Sequence, residues 1–299
     1  MKQKAILYII LAGILWGTSG VFVHYLAPYG FTPLQMTSVR ALVSFFCILL
    51  YAFFRERTAF RIKPLHLLLF AGIGASLYFT SAFHYLSMQM TSVSTSIMLL
   101  YAAPIYVMVY SVLFLKEKLT LLKTVSVGCM LVGCCLVAGV IGGLKFDPLG
   151  MLLGVLGGVS YAIYNILTKI AMQKKITPIT TTLYGFLFMS AISLFALEPT
   201  KLLSHACAAP AETFPLLLGL GICTFVIPYF LYTLAMRDLS AGTACALSVM
   251  EPMSATLFSV ILLGESLDLF SVIGMLLILG SICMIGKAEN DAAAKEQTA

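Results

Sequence analysis

One stretch of this sequence occurs twice, at 86–119 and at 234–267, and the two copies align without a gap. The residues that coincide at this offset of 148 are Leu86/Leu234, Met88/Met236, Ser92/Ser240, Thr95/Thr243, Leu99/Leu247, Pro104/Pro252, Ser111/Ser259, Val112/Val260, Leu115/Leu263, Glu117/Glu265 and Leu119/Leu267. Apolar residues match by chance, but a proline and a glutamate that keep the same separation do not. We therefore interpret the chain as an internal duplication.

The composition identifies the solvent as lipid. Of the 299 residues, 61% are hydrophobic and only 10% are charged, whereas a soluble domain has about 25% charged residues. The net charge is +6, but the basic residues lie in short loops between apolar runs. There they set membrane orientation, so the charge does not indicate nucleic-acid binding.

Ten apolar runs are long enough to cross a membrane, which takes roughly 20 residues. They are 5–27, 32–54, 65–88, 92–115, 120–142, 149–171, 177–197, 213–236, 240–263 and 268–286. The first run resembles the charged and apolar parts of a signal peptide, but it continues to Ala27 without a clear cleavage site, so we expect a retained span. The loop at 198–213 has room for a short interfacial helix, and the tail at 288–299 is expected to be disordered.

The cations predict the orientation. With the N-terminus inside, 15 of the 18 Lys and Arg residues fall in inner segments, and only Lys145 and Lys201 fall in outer loops. This bias places both termini in the cytoplasm.

The predicted fold is an all-α membrane protein made of two five-helix repeats, 1–143 and 144–287. Because five is odd, the second repeat must enter the membrane from the opposite side, which gives an inverted-topology pair. The starts of the repeats agree, since 13–22 aligns with 158–167 and sets Trp16 against Tyr161.

In this arrangement the chain resembles the drug/metabolite transporter superfamily, and within it the ten-span EamA-type carriers. The residues that carry the resemblance are Trp16, Gly17, Thr18 and Ser19 in the first span, Arg40 in the second, Pro104 and Glu117 towards the end of the fourth, and Glu251, Pro252, Leu263, Gly264 and Glu265 in the ninth. The resemblance implies a solute carrier in a bacterial plasma (inner) membrane, with a central cavity lined mainly by spans 1, 3, 4, 6, 8 and 9. One departure is Ala103, where the second repeat has Glu251, so the two halves are not chemically equivalent.

Two charged residues lie well inside spans. Burying Glu251 costs at least about 2.5–3.5 kcal/mol on insertion scales, so it either faces the cavity and holds a proton or a cation, or is a structural carboxylate beside Pro252. Arg40 either binds a substrate carboxylate, pairs with Glu251, or is structural and satisfies helix-end carbonyls. We expect the structural role for Arg40, since the resemblance makes span 2 peripheral.

Several polar or aromatic residues near mid-membrane are candidates for binding a substrate. They are Trp16, Tyr78, Tyr101, Tyr161, Asn165, Tyr229 and Glu251. A tyrosine hydroxyl at this depth needs a partner, and a cavity supplies one. Packing between helices is the alternative for each ring, as interhelical hydrogen bonding is for Asn165.

Three prolines, Pro104, Pro228 and Pro252, interrupt the helical hydrogen-bond ladder at depth and are candidate hinges. No metal-ligand cluster, nucleotide-binding motif or hydrolase motif occurs, so neither a metal nor another cofactor is expected. The eight cysteines include no C-x-x-C pair and are interpreted as small packing residues.

These features favour a transporter of a small organic metabolite that works by alternating access. The mid-membrane aromatic residues with Glu251, Asn165 and Arg40 suit an amphipathic solute, and amino acids are the first guess for the substrate. The resemblance implies export as the direction, and protons are the candidate coupling ion through Glu251. The expected partners are a small-molecule substrate and the lipid bilayer, and a monomer and a homodimer are both compatible with the sequence. The alternative is a non-transporting membrane sensor or an integral enzyme, although the sequence offers neither an output domain nor a convergent catalytic set.

Overall fold

The computed structural model describes residues 2–114, 120–139, 147–196, 199–264 and 266–298. Ten apolar helices, α1 to α10, follow the predicted spans: Lys2–Tyr29, Pro33–Arg55, Pro64–Met90, Val93–Phe114, Leu121–Val137, Pro148–Gln173, Pro178–Ala196, Pro210–Ala235, Ala241–Leu263 and Leu269–Thr298. Within the described ranges, nine are long and apolar enough to cross a membrane. The exception is α5, whose 17 residues precede the undescribed residues 140–146, so the tenth crossing stays a prediction.

Two segments outside the spans also form helix. The loop between α7 and α8 contains a short helix, Pro199–Ala208, which we call the loop helix. The last helix continues to Thr298, where the sequence analysis expected a disordered tail from residue 288. Ala, Glu, Lys and Gln dominate this segment, and their high helix propensity lets the helix extend beyond the apolar run.

The two copies of the repeated sequence begin their helices in the same way. The side chain of Ser92 accepts a hydrogen bond from the backbone N–H of Thr95 at 3.1 Å, and Ser240 accepts one from Thr243 at 3.2 Å. Each serine is an N-cap that satisfies one of the free N–H groups at the beginning of a helix. The repeat in sequence is therefore a repeat of local structure.

The same two helices, α4 and α9, are interrupted at matching places. The first segment of α4 ends at Leu100 and that of α9 at Leu247, about one turn before Pro104 and Pro252. Because proline has no N–H to donate to the preceding turn, the helical ladder is weakened there. The breaks lie where the sequence predicted an interruption, and their action as hinges stays a prediction.

Helices α1 and α8 are also irregular. The regular part of α1 stops at Thr18, whose hydroxyl donates to the carbonyl oxygen of Leu15 at 2.6 Å. In α8 a π-helical turn spans Ile222–Val226, just before Pro228. A π turn leaves the regular ladder locally and is common at functional sites.

The packing of the ten helices has the symmetry of a pseudo-two-fold axis. The axis exchanges α1–α5 with α6–α10, so each contact between two helices should have a counterpart. The contacts of α1 with α8, α1 with α9 and α2 with α8 correspond to those of α6 with α3, α6 with α4 and α7 with α3. Every one of these contacts is present. The pairs α2 with α7, α4 with α9 and α5 with α10 map onto themselves and are also present. This pattern supports the inverted repeat.

The outside of the bundle is apolar. Phe195, Leu121 and Leu68 are 94%, 82% and 79% exposed. Such a surface in water would bring about association, because soluble monomers rarely expose large contiguous apolar patches. In a membrane these side chains contact lipid, and the helices satisfy their own backbone hydrogen bonds.

Candidate functional site

A cavity of about 400 Å³ lies among helices α1, α2, α3, α4, α6, α8 and α9. Its walls come from the second half of α1, the first half of α2, the end of α3 and the start of α4, so it occupies the half of the molecule opposite the N-terminus. The polar and aromatic residues on its wall are Trp16, Ser19, Thr37, Arg40, Thr80, Ser81, His84, Tyr85, Tyr101, Tyr161, Thr224, Phe225, Tyr229 and Glu251. A pocket of this size suits a small organic ligand.

Aromatic rings form one wall of the cavity. Tyr229 is the centre of this wall: its ring lies 5.0 Å from that of Trp16 in an edge-to-face arrangement, 4.8 Å from that of Phe225 and 5.6 Å from that of Tyr164. Edge-to-face and tilted pairs at these distances are favourable beyond the area that they bury. The wall is therefore a closely packed aromatic surface built around Tyr229.

Glu251 lies in the first turn of the second segment of α9, Met250–Leu263. The partial positive charge at a helix N-terminus favours a carboxylate there. The Tyr101 hydroxyl lies beside the carboxylate, and Arg40 is near enough to interact with it electrostatically. The break in α9 thus creates the helix end that stabilises a charge at mid-membrane.

Arg40 reaches the cavity from α2. Its Nη2 donates to the Thr37 hydroxyl at 2.9 Å, and its guanidinium carbon lies 4.9 Å from the centre of the Phe225 ring. The Nε atom is buried without a hydrogen-bond partner. Arg40 and Glu251 are both described, but their charged nitrogen and oxygen atoms lie more than 4.0 Å apart, so they do not form an ion pair.

His84 is held in one orientation by Ser96. The Ser96 hydroxyl lies 2.7 Å from His84 Nδ1 and 2.9 Å from the backbone carbonyl oxygen of His84. The carbonyl can only accept, so both contacts are satisfied when Ser96 donates to it and Nδ1–H donates to Ser96. In that arrangement Nε2 is the ring nitrogen that remains for another partner, and His84 lines the cavity.

The other half of the molecule is closed by one face of α6. Tyr161 donates to the Ser248 hydroxyl at 3.1 Å, Asn165 accepts from Tyr232, and Lys169 Nζ donates to the carbonyl oxygens of Met236 and Leu239 at 2.9 and 2.6 Å. Tyr161, Asn165 and Lys169 are four residues apart and so share a face. We call these three residues the α6 stripe; it ties α6 to α8, α9 and the turn between them.

The corresponding face of α1 is open. At the offset of 145, the counterparts of the α6 stripe are Trp16, Gly20 and His24, which we call the α1 stripe. Trp16 and Gly20 line the cavity, and a Cβ atom on Gly20 would meet nothing within 4 Å. One repeat thus closes its half of the molecule and the other repeat leaves its half open.

The structure brings together five of the seven candidate binding residues. Trp16, Tyr101, Tyr161, Tyr229 and Glu251 line the cavity, whereas Tyr78 and Asn165 do not.

The other two candidates have partners away from this wall. Tyr78 is buried, with its ring edge-to-face with that of Phe79 at 5.6 Å. Asn165 is fully buried one turn beyond Tyr161, in the closed half, and donates to the Tyr161 carbonyl oxygen at 2.7 Å.

Sequence reasoning missed part of the wall. Arg40, expected to be structural in a peripheral helix, lies on the cavity wall with Thr37, one helical turn earlier. On α3, Thr80 also lines the cavity, together with His84; because histidine titrates near neutral pH, the sequence alone made His84 a candidate proton relay. Thr80 and His84 are four residues apart and therefore share a helix face, which was the available signal. The motif residues Glu117 and Glu265 lie outside the described residues.

Two membrane-embedded repeats around a ligand-sized cavity, with broken helices at mid-depth, are the construction of a membrane transporter. The chain belongs to the EamA-like transporter family, whose sequence profile matches it twice, at residues 3–139 and 148–287. These matches fall within the two predicted repeats.

Individual relatives agree with the family. The chain is 30% identical over 274 residues to an uncharacterized transporter of Archaeoglobus fulgidus, covering 92% of this chain and 93% of that protein. It is 26% identical to the uncharacterized transporter YwfM of Bacillus subtilis (94% and 93% covered) and 24% identical to the uncharacterized inner membrane transporter YicL of Salmonella typhimurium (95% of each). A crystal structure with 17% identity superposes with a TM-score of 0.80 over 98% of this chain and 99% of that one, which shows the shared fold.

Proposed function

We propose that the protein moves a small organic metabolite across the membrane by alternating access, with amino acids or related amphipathic compounds as the cargo. The observation that carries this proposal is the chemistry of the cavity. An aromatic wall around Tyr229 faces the same space as one cation, Arg40, and one anion, Glu251. An amphipathic molecule with an apolar body and charged groups complements such a wall.

Export from a bacterial cell through its plasma (inner) membrane is the proposed direction. The distribution of Lys and Arg favours an N-terminus in the cytoplasm, and with that orientation the cavity opens to the outside. The α6 stripe then closes the cytoplasmic side. Exchange of the two arrangements between the repeats would carry cargo outward, with Glu251 as the site of proton exchange.

The test is a counterflow panel in proteoliposomes. Vesicles are loaded with single amino acids, amines or small acids, and entry of the labelled compound is measured, with protein-free vesicles as the control. Entry of large apolar or aromatic amino acids, competed by related compounds, supports the proposal. If correctly inserted protein lets in no labelled amino acid, amine or small acid, the proposal is contradicted and a non-transporting sensor or enzyme is favoured.

A further inference from the structure

No carboxylate is in direct contact with the Arg40 guanidinium in the described part of the chain, although Glu251 is near enough to interact with it electrostatically. Only one of its N–H groups has a hydrogen-bond acceptor there, the Thr37 hydroxyl. Its Nε is buried and unpartnered. A guanidinium has five N–H donors in a planar fork and stays charged, so most of its binding capacity is unused.

The position of this guanidinium is nevertheless well defined. Phe225 lies under one of its faces at 4.9 Å, and the bond to Thr37 fixes one nitrogen. Arg40 lines the cavity. A group held in this way is pre-organised, so little freedom is lost when a ligand binds to it.

Neutralising Glu251 does not explain the arrangement. At mid-membrane two opposite charges attract strongly, and a pair meant only to cancel would make direct contact. Within the described residues the two groups remain beyond 4.0 Å of each other, although both face the same cavity. The space between them has a positive end and a negative end.

From this geometry we infer that Arg40 binds a carboxylate of the cargo, so that the site selects zwitterions over amines of the same shape. The inference rests on the proposed carrier function and names its substrate class. The carboxylate pairs with the Arg40 fork, the ammonium lies towards Glu251, and the apolar body packs on the wall formed by Trp16 and Tyr229. Bidentate pairing of Arg with a carboxylate supplies both the affinity and the geometric selection.

The experiment measures the binding of three probes that share one apolar body: L-phenylalanine, phenethylamine and 3-phenylpropionate. Ligand-induced thermal stabilisation of the purified protein gives an apparent Kd for each probe. Wild-type protein is expected to bind L-phenylalanine about tenfold to a hundredfold more tightly than phenethylamine, since hydrogen bonds to charged groups are worth that ratio. In R40Q this preference should disappear, while the affinity for phenethylamine changes by less than about twofold.

Two further variants keep the test decisive. R40K retains the charge needed in the membrane and loses the planar fork, so it should keep only part of the preference. R57Q removes an arginine that also lies over an aromatic ring, Phe53 at 5.3 Å, but lies on an exposed turn outside the cavity. It should bind all three probes like the wild type.

Each contrary outcome has a separate meaning. If R40Q weakens L-phenylalanine and phenethylamine equally, or neither, Arg40 does not bind the carboxylate and the inference is wrong. If the counterflow panel finds cargo without a carboxylate, the inference fails and the carrier function stands. If neither binding nor counterflow occurs with any compound, the carrier function fails as well.

Discussion

At the scale of single residues, Glu251 shows how a carboxylate is kept within a membrane. It lies at the start of the second segment of α9, and that start exists because α9 is broken one turn ahead of Pro252. Burial opposes the charge, whereas the helix end and the neighbouring Tyr101 favour it, and the side chain lines the cavity. The same features would allow a proton to be taken up and released.

The substitution E251Q tests the proton role. It keeps the shape and hydrogen-bonding capacity of the side chain and removes the titratable group. Accumulation driven by a proton gradient is therefore expected to be lost, while counterflow without a gradient continues at a reduced rate, because the ammonium of the cargo loses its anionic neighbour. Both rates are measured in the same proteoliposomes. E56Q, on the turn between α2 and α3, is the matched control and should behave like wild type; gradient-driven accumulation that survives in E251Q would rule out this site for the proton.

At the scale of helices, the surrounding lipid is as apolar as the helix surfaces, so the hydrophobic effect does not drive helices together. Close packing at helix crossings stabilises their association instead. Helices α5 and α10 cross where Gly133 meets Gly274. A Cβ atom on Gly274 would lie 2.6 Å from the Gly133 carbonyl oxygen. This pair maps onto itself under the pseudo-two-fold axis, so the crossing joins the repeats.

The crossing predicts a clear contrast on α10. G274A should lower the stability by about 1–3 kcal/mol, because backbone atoms must move apart to admit the methyl group. G280A, on the same helix, adds a methyl group where nothing lies within 4 Å, and should be neutral or slightly stabilising. The measurement is the thermal midpoint of both variants in one detergent. Equal midpoints would show that the helices do not need this close approach.

The α6 stripe predicts how the closed half opens. K169M removes the ammonium that holds the carbonyl oxygens of Met236 and Leu239, so the closed arrangement should become less populated. Cys245 is fully buried there, and its alkylation rate reports opening when the other cysteines are replaced by Ala or Ser. We expect a severalfold faster reaction in K169M.

A matched variant separates gating from a general effect of charge. Lys174 lies at the end of the same helix with its side chain exposed, and K174M should leave the Cys245 rate unchanged. Equal rates in K169M and the parent protein would mean that the lysine does not hold the gate.

At the scale of the whole molecule, orientation and conformation can be tested together. In a cysteine-free background, V23C on the cavity wall should react with a membrane-impermeant maleimide added to intact cells, because the cavity is proposed to open outward. Q173C, at the opposite face on the exposed end of α6, should react only after the cells are permeabilised. The reverse pattern would invert the proposed topology and with it the direction in which the cavity faces.

Much of the architecture could be predicted because the repeated residues act on the backbone next to them. Ser92 and Ser240 begin helices, and Pro104 and Pro252 follow breaks. The helix faces that line the cavity could not be predicted in the same way. The sequence around Arg40 does not show which face of α2 is turned to the cavity, and the packing of α2 against the π turn of α8 places Arg40 beside Phe225.

The unequal stripes on α1 and α6 have a consequence for the transport cycle. In the reversed arrangement, Gly20 takes the position of Asn165 and has no side chain with which to bond. The outer closure therefore lacks at least one contact that the inner closure has, worth about 1 kcal/mol or a fivefold population ratio. With the proposed orientation, we therefore expect the empty protein to favour the outward-facing arrangement and its return to the cytoplasmic side to limit net transport. Exchange of cargo for cargo, which avoids that empty return, should outpace net efflux.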